Sequence, residues 1–195
     1  MSYKIILASN SPRRQQLLRE LRIPFVVRTI PVEEDYPAEL PPDQVAKFLA
    51  EKKGRAYLDA LADDELVITA DTTVVVEERL LNKPADAADA REMLTALSGR
   101  AHRVITGVCL TTTTWSHAFE DTATVYFRAL TDGEISFYVE NYQPFDKAGG
   151  YAIQEWIGMI GIERIEGSYF NVVGLPVEKL YRELKDTDGI PLASP

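Results

Sequence analysis

Apolar residues along this chain fall into short unbroken blocks and spaced stripes, and the two patterns predict different elements. The first block, Ile5-Ile6-Leu7-Ala8, is followed by three small polar residues and then Pro12. An apolar run bounded by turn-forming residues predicts a buried strand. Ser11 before Pro12 is a helix-start signal, a capping hydroxyl followed by a residue whose missing N–H costs nothing there. A helix is therefore predicted from Pro12 to about Arg22, with Leu17, Leu18 and Leu21 inward. Phe25–Thr29 predicts a second strand. Pro31, Pro37, Pro41 and Pro42 then bracket an irregular acidic loop containing Glu33, Glu34 and Asp35. A stripe of Val45, Phe48, Leu49, Tyr57 and Leu61 predicts one helix from Asp43 to about Leu61.

The β-rich run Leu66–Val76 predicts a long strand, and Leu80–Pro84 a turn. Asp86 is placed to cap a helix whose apolar face is Met93, Leu94 and Leu97 and whose end is Ser98-Gly99. Segments from about His102 to Thr112 and His117 to Arg128 predict a hairpin with its tip at Thr113-Thr114-Trp115. His102 and His117 match no metal-ligand spacing and read as surface residues. Gly133–Tyr142 reads as a short helix and Ile160–Ile165 as a strand. Glu166-Gly167-Ser168 reads as a turn, and the stretch around Pro176 as the start of a last helix. Residues 1–185 read as one domain or two small lobes and 186–195 as a frayed tail. Helices mixed with long β segments give an α/β fold with a mixed twisted sheet and flanking helices.

Charge narrows the function classes. The net charge is −9 and the basic residues form no stripe, so nucleic-acid binding is not expected. A single cysteine, Cys109, excludes an intramolecular disulfide and a cysteine-built zinc site. No apolar run reaches membrane-spanning length, and the N-terminus reads as a strand leading into charge rather than a signal peptide. The expected compartment is the cytoplasm.

Three stretches carry the candidate chemistry. Ser9, Ser11, Arg13 and Arg14 surround a predicted helix start, where free N–H groups, hydroxyls and guanidiniums favour an anion. Cations there oppose the helix dipole by a few tenths to about 1 kcal/mol. Replacing either arginine is therefore expected to leave thermal stability unchanged or slightly higher. The bland reading is a solvated arginine pair on a surface helix. Asp71 is a lone acid in an apolar strand, which makes it a candidate general base or metal ligand, or else a satisfied structural Asp at a bulge. The third stretch, PFDKAGGYAIQ at 144–154, joins Asp146-Lys147 to two glycines and Gln154, a binding loop or a connecting turn. Lys53 and Lys83 supply further cations if their helix and turn fold inward.

Taken together these stretches resemble the Maf family of nucleoside triphosphate pyrophosphatases. The resemblance rests on SNSPRR at 9–14, ADTTV at 70–74, NKP at 82–84, LSGRAHRVITGV at 97–108, FDKAGGYAIQ at 145–154 and NVVGLP at 171–176. It implies an inosine-triphosphatase-like fold, two lobes around a central cleft, and cleavage of a nucleoside triphosphate to monophosphate and pyrophosphate. A divalent cation (Mg, Mn or Co), a cytoplasmic small-molecule substrate and a homodimer are implied with it. DKAGGYAIQ resembles the branch acting on dTTP and UTP. By resemblance Asp71 is the proton acceptor, and Arg13, Thr72 and Gln154 govern substrate choice. Ser9, Ser11, Arg13, Arg14, Lys53 and Lys83 are candidate phosphate ligands, Glu34 and Asp71 candidate metal ligands, and Asp146 and Lys147 further cleft residues. Glu155-Trp156 stands where the family commonly has a small residue. Two rival readings are a non-catalytic nucleotide-binding regulator of septum formation and a pyrophosphatase for 7-methyl-GTP or another modified nucleotide.

Overall fold

A computed structural model describes residues 3–190 and 192. Among them, seven strands, β1 (Lys4–Leu7), β2 (Phe25–Val27), β3 (Glu65–Val76), β4 (Arg79–Leu81), β5 (Ala101–Thr111), β6 (Ser116–Phe127) and β7 (Ile162–Glu166), form one mixed sheet in the order β2-β1-β3-β5-β6-β7, with β4 beside β3. The chain divides into two compact units. One takes in the residues up to Asp71, Thr106–Asp121 and the chain from Gly174 onward; the other is Thr72–Ile105 with Thr122–Val173. Three strands, β3 (Glu65–Val76), β5 (Ala101–Thr111) and β6 (Ser116–Phe127), each give one end to each unit.

In the first unit, β1 (Lys4–Leu7) runs parallel to β2 (Phe25–Val27) and to the start of β3, with Ile5 opposite Leu66 and Leu7 opposite Ile68. Alternation along these strands makes two faces. Ile5, Leu7, Leu66, Ile68, Val108 and Leu110 form one core with Leu18 of α1 (Pro12–Glu20) and Leu180 and Leu184 of α7 (Val177–Lys185). Ile6 and Val67 point the other way and pack with Tyr57. The helix α2 (Val45–Arg55) lies directly on β5: a Cβ at Gly107 would come within 2.4 Å of the Lys47 Cα. No side chain fits there, so α2 is set at a fixed height on the sheet.

The helix predicted for 43–61 is three pieces: a 3₁₀ turn at Pro42–Gln44, α2, and a second 3₁₀ turn at Leu58–Ala60. The break has a tertiary cause. Tyr57 is buried, and its hydroxyl donates to the Arg28 carbonyl at 2.7 Å and accepts from the Ile30 N–H at 3.0 Å. The tail predicted to fray from 186 is docked in part. Tyr3 N–H donates to the Gly189 carbonyl at 2.8 Å, and Ile190 and Leu192 pack on the core. Residues 191 and 193–195 lie outside the described residues.

In the second unit, the end of β3 pairs antiparallel with β4 (Arg79–Leu81) through a turn in which Glu77 is left-handed. The segment predicted as a turn from Leu80 is therefore a strand for its first two residues. Helix α3 (Ala87–Leu97) is capped by Asp86, which accepts from the Ala88 and Asp89 N–H groups. Helix α4 (Asp132–Tyr142) starts in a capping box between Thr131 and Glu134. Met93, Leu94 and Leu97 of α3 and Ile135, Tyr138 and Val139 of α4 share one core with Val104, Val125 and Phe127. Where a strand was predicted from Ile160, a short helix α5 (Trp156–Gly161) precedes β7 (Ile162–Glu166). A further short helix, α6 (Tyr169–Val173), follows it.

His102, expected at the surface, is buried on β5. Its Nε2 bonds the Tyr151 hydroxyl at 2.7 Å, and its ring meets Phe127 edge-on. Burial pushes its pKa down to about 3, so it is neutral at physiological pH. His117 is exposed as expected, with Nε2 2.9 Å from Glu183.

Candidate active site

The first unit assembles a charged group from three separate segments. Thr69 and Asp71 lie on the same face of β3, two residues apart, and that face is covered by α2: the Thr69 hydroxyl donates to the Ala50 carbonyl at 2.7 Å. One turn further along α2, Lys53 Nζ reaches Asp71 Oδ1 at 2.5 Å. The same ammonium donates to Glu34 Oε1, from the acidic loop, at 2.7 Å. Lys53 and Asp71 are largely buried, their side chains 16% and 12% exposed, while Glu34 is 43% exposed. Two carboxylates thus converge on one cation, one anchored in the sheet and one on a loop open to water. Such pairing satisfies the charge that would otherwise make a strand Asp costly.

The helix start beside this group forms as predicted. Ser11 caps α1 by accepting the Arg14 N–H at 3.4 Å, and the Ser9 hydroxyl accepts the Ser11 N–H at 3.2 Å. Arg14 also bonds backbone carbonyls of its own unit. Its Nε donates to the Gly174 carbonyl at 2.8 Å and its Nη1 to the Ala70 carbonyl at 2.9 Å. Arg14 therefore ties α1 to β3 and to the segment before α7, within the same unit. Burial lowers its affinity for the proton, opposed by the negative charges of Asp71 and Glu34. Arg13, partly exposed in the same helical turn, lies next to this clamp.

The second unit holds the remaining candidates. Thr72 follows Asp71 on β3. Lys83 is exposed in the segment after β4, where the Asn82 carbonyl accepts the Gly149 N–H at 3.1 Å. Gly149 has φ +70°, and a Cβ there would also press within 3.0 Å of the Val74 side chain, so this turn requires glycine. Lys147 is buried; its Nζ contacts Asp146 Oδ1 at 2.7 Å and Glu155 Oε1 at 3.4 Å. The other Glu155 oxygen accepts the Tyr138 hydroxyl hydrogen. Glu155 is thus held by a cation and a phenol. Burial, and then the bond to Glu155, raise the Tyr138 pKa, which keeps that hydroxyl a donor. Gln154 Oε1 is buried with no hydrogen-bond partner among the described residues. An acceptor left this way costs about 1–3 kcal/mol unless a ligand fills it.

Sequence reasoning missed Tyr138 and Glu155 as partners, and no local pattern marks them, because their contact joins α4 to the loop before α5. Among the described residues no three His, Cys, Asp or Glu side chains cluster to hold a metal unaided, and no helix is long and apolar enough to cross a membrane.

Residues 4–187 match the family described as Maf-like protein. A dTTP/UTP pyrophosphatase of Bacteroides fragilis is 53% identical over 184 residues, covering 94% of this chain and 95% of that protein. Another, from Bacteroides thetaiotaomicron, is 50% identical over the same shares of both chains. A third, from Porphyromonas gingivalis, is 51% identical over 187 residues, 94% of each. Among solved structures, a HAM1 protein from Coxiella burnetii superposes with a TM-score of 0.51 at 17% identity, covering 95% of this chain and all of that one. That likeness speaks to the fold.

Proposed function

This chain belongs to the Maf-like protein family, and we propose that it hydrolyses dTTP and UTP to the nucleoside monophosphate and pyrophosphate. The observation that carries the chemistry is the convergence of Asp71 and Glu34 on the Lys53 ammonium. A carboxylate fixed in a strand beside a cation can orient a water and take its proton, help worth roughly 10²–10⁴-fold. In this reading water attacks the α-phosphorus, the bond to the bridging oxygen breaks, pyrophosphate leaves with that electron pair, and the proton passes to Asp71. Lys53, Arg13 and the donors at Ser9–Ser11 hold phosphate oxygens. Asp146 keeps Lys147 in place.

The donor set fits a divalent cation. Hard carboxylate oxygens from Glu34 and Asp71, completed by substrate phosphates and water, are what Mg²⁺ ordinarily takes, and Mn²⁺ or Co²⁺ accept the same ligands. When bound, such an ion neutralises phosphate charge that grows in the transition state. Gln154 reads the base: its amide offers one acceptor and one donor, matching the N3–H and a carbonyl of uracil or thymine. The orphaned Oε1 supports that role.

The deciding experiment is a panel of nucleoside triphosphates with detection of released pyrophosphate. dTTP and UTP should each give one pyrophosphate per monophosphate, and CTP and purine nucleotides much less. Nucleotide binding without pyrophosphate release would show a regulator instead. A preference for 7-methyl-GTP would move the chain to another branch.

A further inference from the structure

Gln154 lies in a four-residue segment, Ala152 to Glu155, held at both ends by one buried side chain. The Tyr138 hydroxyl accepts the Ala152 N–H at 3.3 Å and donates to the Glu155 carboxylate. The Tyr138 ring is fully buried in α4 and stacks on Tyr142, with centroids 4.9 Å apart. Glu155 is held from its other oxygen by Lys147. The Glu155 backbone adds a further restraint, since its N–H donates to the Ala152 carbonyl at 3.1 Å. After Glu155 the chain is held by Gly158: a Cβ there would fall 2.0 Å from the Ile153 carbonyl oxygen, so the helix α5 packs directly against the backbone of this segment. The residues on both sides of Gln154 are thus fixed, while its own amide oxygen is left without a partner.

We infer that Tyr138 and Glu155 are positioning residues for base selection, setting the direction in which Gln154 presents its amide. The inference rests on Gln154 being the base reader. Its physical basis is that an amide has two orientations of opposite hydrogen-bond sign. A site that cannot lock one of them accepts cytosine as readily as uracil by rotating the group. The clamp limits backbone movement at 154 and so limits which rotamers reach the base. Glu155 then acts as the acceptor that keeps Tyr138 in place, and its charge is met by Lys147.

The test compares Tyr138→Phe, Glu155→Ala, Glu155→Gln and Gln154→Ala for UTP, dTTP and CTP. Tyr138→Phe keeps the buried ring and removes only the hydroxyl. It should raise KM for UTP and dTTP about 3–10-fold with little change in kcat, and should narrow the preference over CTP by a like factor. Glu155→Ala should do the same, and Glu155→Gln, whose amide oxygen still accepts from Tyr138, should restore most of the preference. In a Gln154→Ala background Tyr138→Phe should have no further effect on the UTP-to-CTP ratio. If Gln154→Ala alone changes that ratio but Tyr138→Phe and Glu155→Ala slow all three nucleotides by one common factor, the clamp is overturned and the base reader stands. If Gln154→Ala itself slows all three alike, base reading fails and the clamp with it. Should Tyr138→Phe not fold, the Glu155→Ala and Glu155→Gln pair decides by the same ratio.

Discussion

Asp71 and Arg14 show how a single side chain is assigned by what it touches. Asp71→Asn keeps shape and hydrogen-bonding capacity but cannot take a proton. It should reduce kcat by at least about 10²-fold while nucleotide affinity, read by calorimetry, stays within a few-fold. Retention of more than a tenth of wild-type kcat would exclude the base role. Arg14 was expected to be replaceable without loss of stability, because cations oppose the dipole at a helix start. Its two bonds, to the Ala70 and Gly174 carbonyls, reverse that expectation. Charged hydrogen bonds contribute about 1.5–3 kcal/mol, so Arg14→Gln should lower the melting temperature by about 3–12 °C in a chain of this size. Arg13→Gln should weaken triphosphate binding and shift the melting temperature much less. An unchanged melting temperature for Arg14→Gln would return this arginine to ligand binding alone.

Elements formed where the signal was local. The Ser11-Pro12 start, the Asp86 cap, the long strands and the turn at Thr113-Thr114-Trp115 all lie in the sequence, because capping and alternation act within a few residues. What stayed hidden was set by distance along the chain. The partners of Arg14 lie 56 and 160 residues away, and Tyr151, which holds His102, lies 49 away. The candidate site was legible as residue types at Asp71, Glu34 and Lys53, but the convergence of the two carboxylates on the Lys53 ammonium needed the packing of α2 on β3. Helices α5 and α6, of 6 and 5 residues, are too short for a periodic pattern to emerge. The buried His102 gives the strand β5 a pH signature. Its pKa is depressed from 6.5 to about 3, so the unfolded chain takes up the proton first. Its contribution is complete above about pH 6.5 and is lost as pH falls toward 3, at up to about 1.4 kcal/mol per pH unit. Glu65, held down to about 2 mainly by its Arg28 hydrogen bond, loses its contribution only as pH falls from about 4.5. Urea unfolding between pH 6.5 and 5 should therefore show a slope in the wild type that His102→Gln flattens. Equal slopes in both proteins would place the titrating group elsewhere.

At the scale of the whole molecule, the candidate metal ligands are already met by a protein cation when no phosphate is present. Glu34 and Asp71 already spend their charge on Lys53. Chelation by EDTA should abolish pyrophosphate release, and Mg²⁺, Mn²⁺ or Co²⁺ should restore it. The melting temperature of the nucleotide-free protein should move by less than about 1 °C in either direction, because a ligand far below its dissociation constant adds almost no stability. A large shift on chelation would mean a resident structural metal. The path of the chain has a different consequence, one that concerns its birth. The core around Ile5, Leu7 and Leu66 is completed by Leu175, Leu180 and Leu184, from the segment from Gly174 onward and helix α7. On a ribosome adding about 5–20 residues per second, the first strand waits on the order of ten seconds for the helix that covers it. The half of the molecule that bears Asp71 is then the last to close, and a nascent chain arrested before Gly174 would present its opening strands to chaperones and proteases.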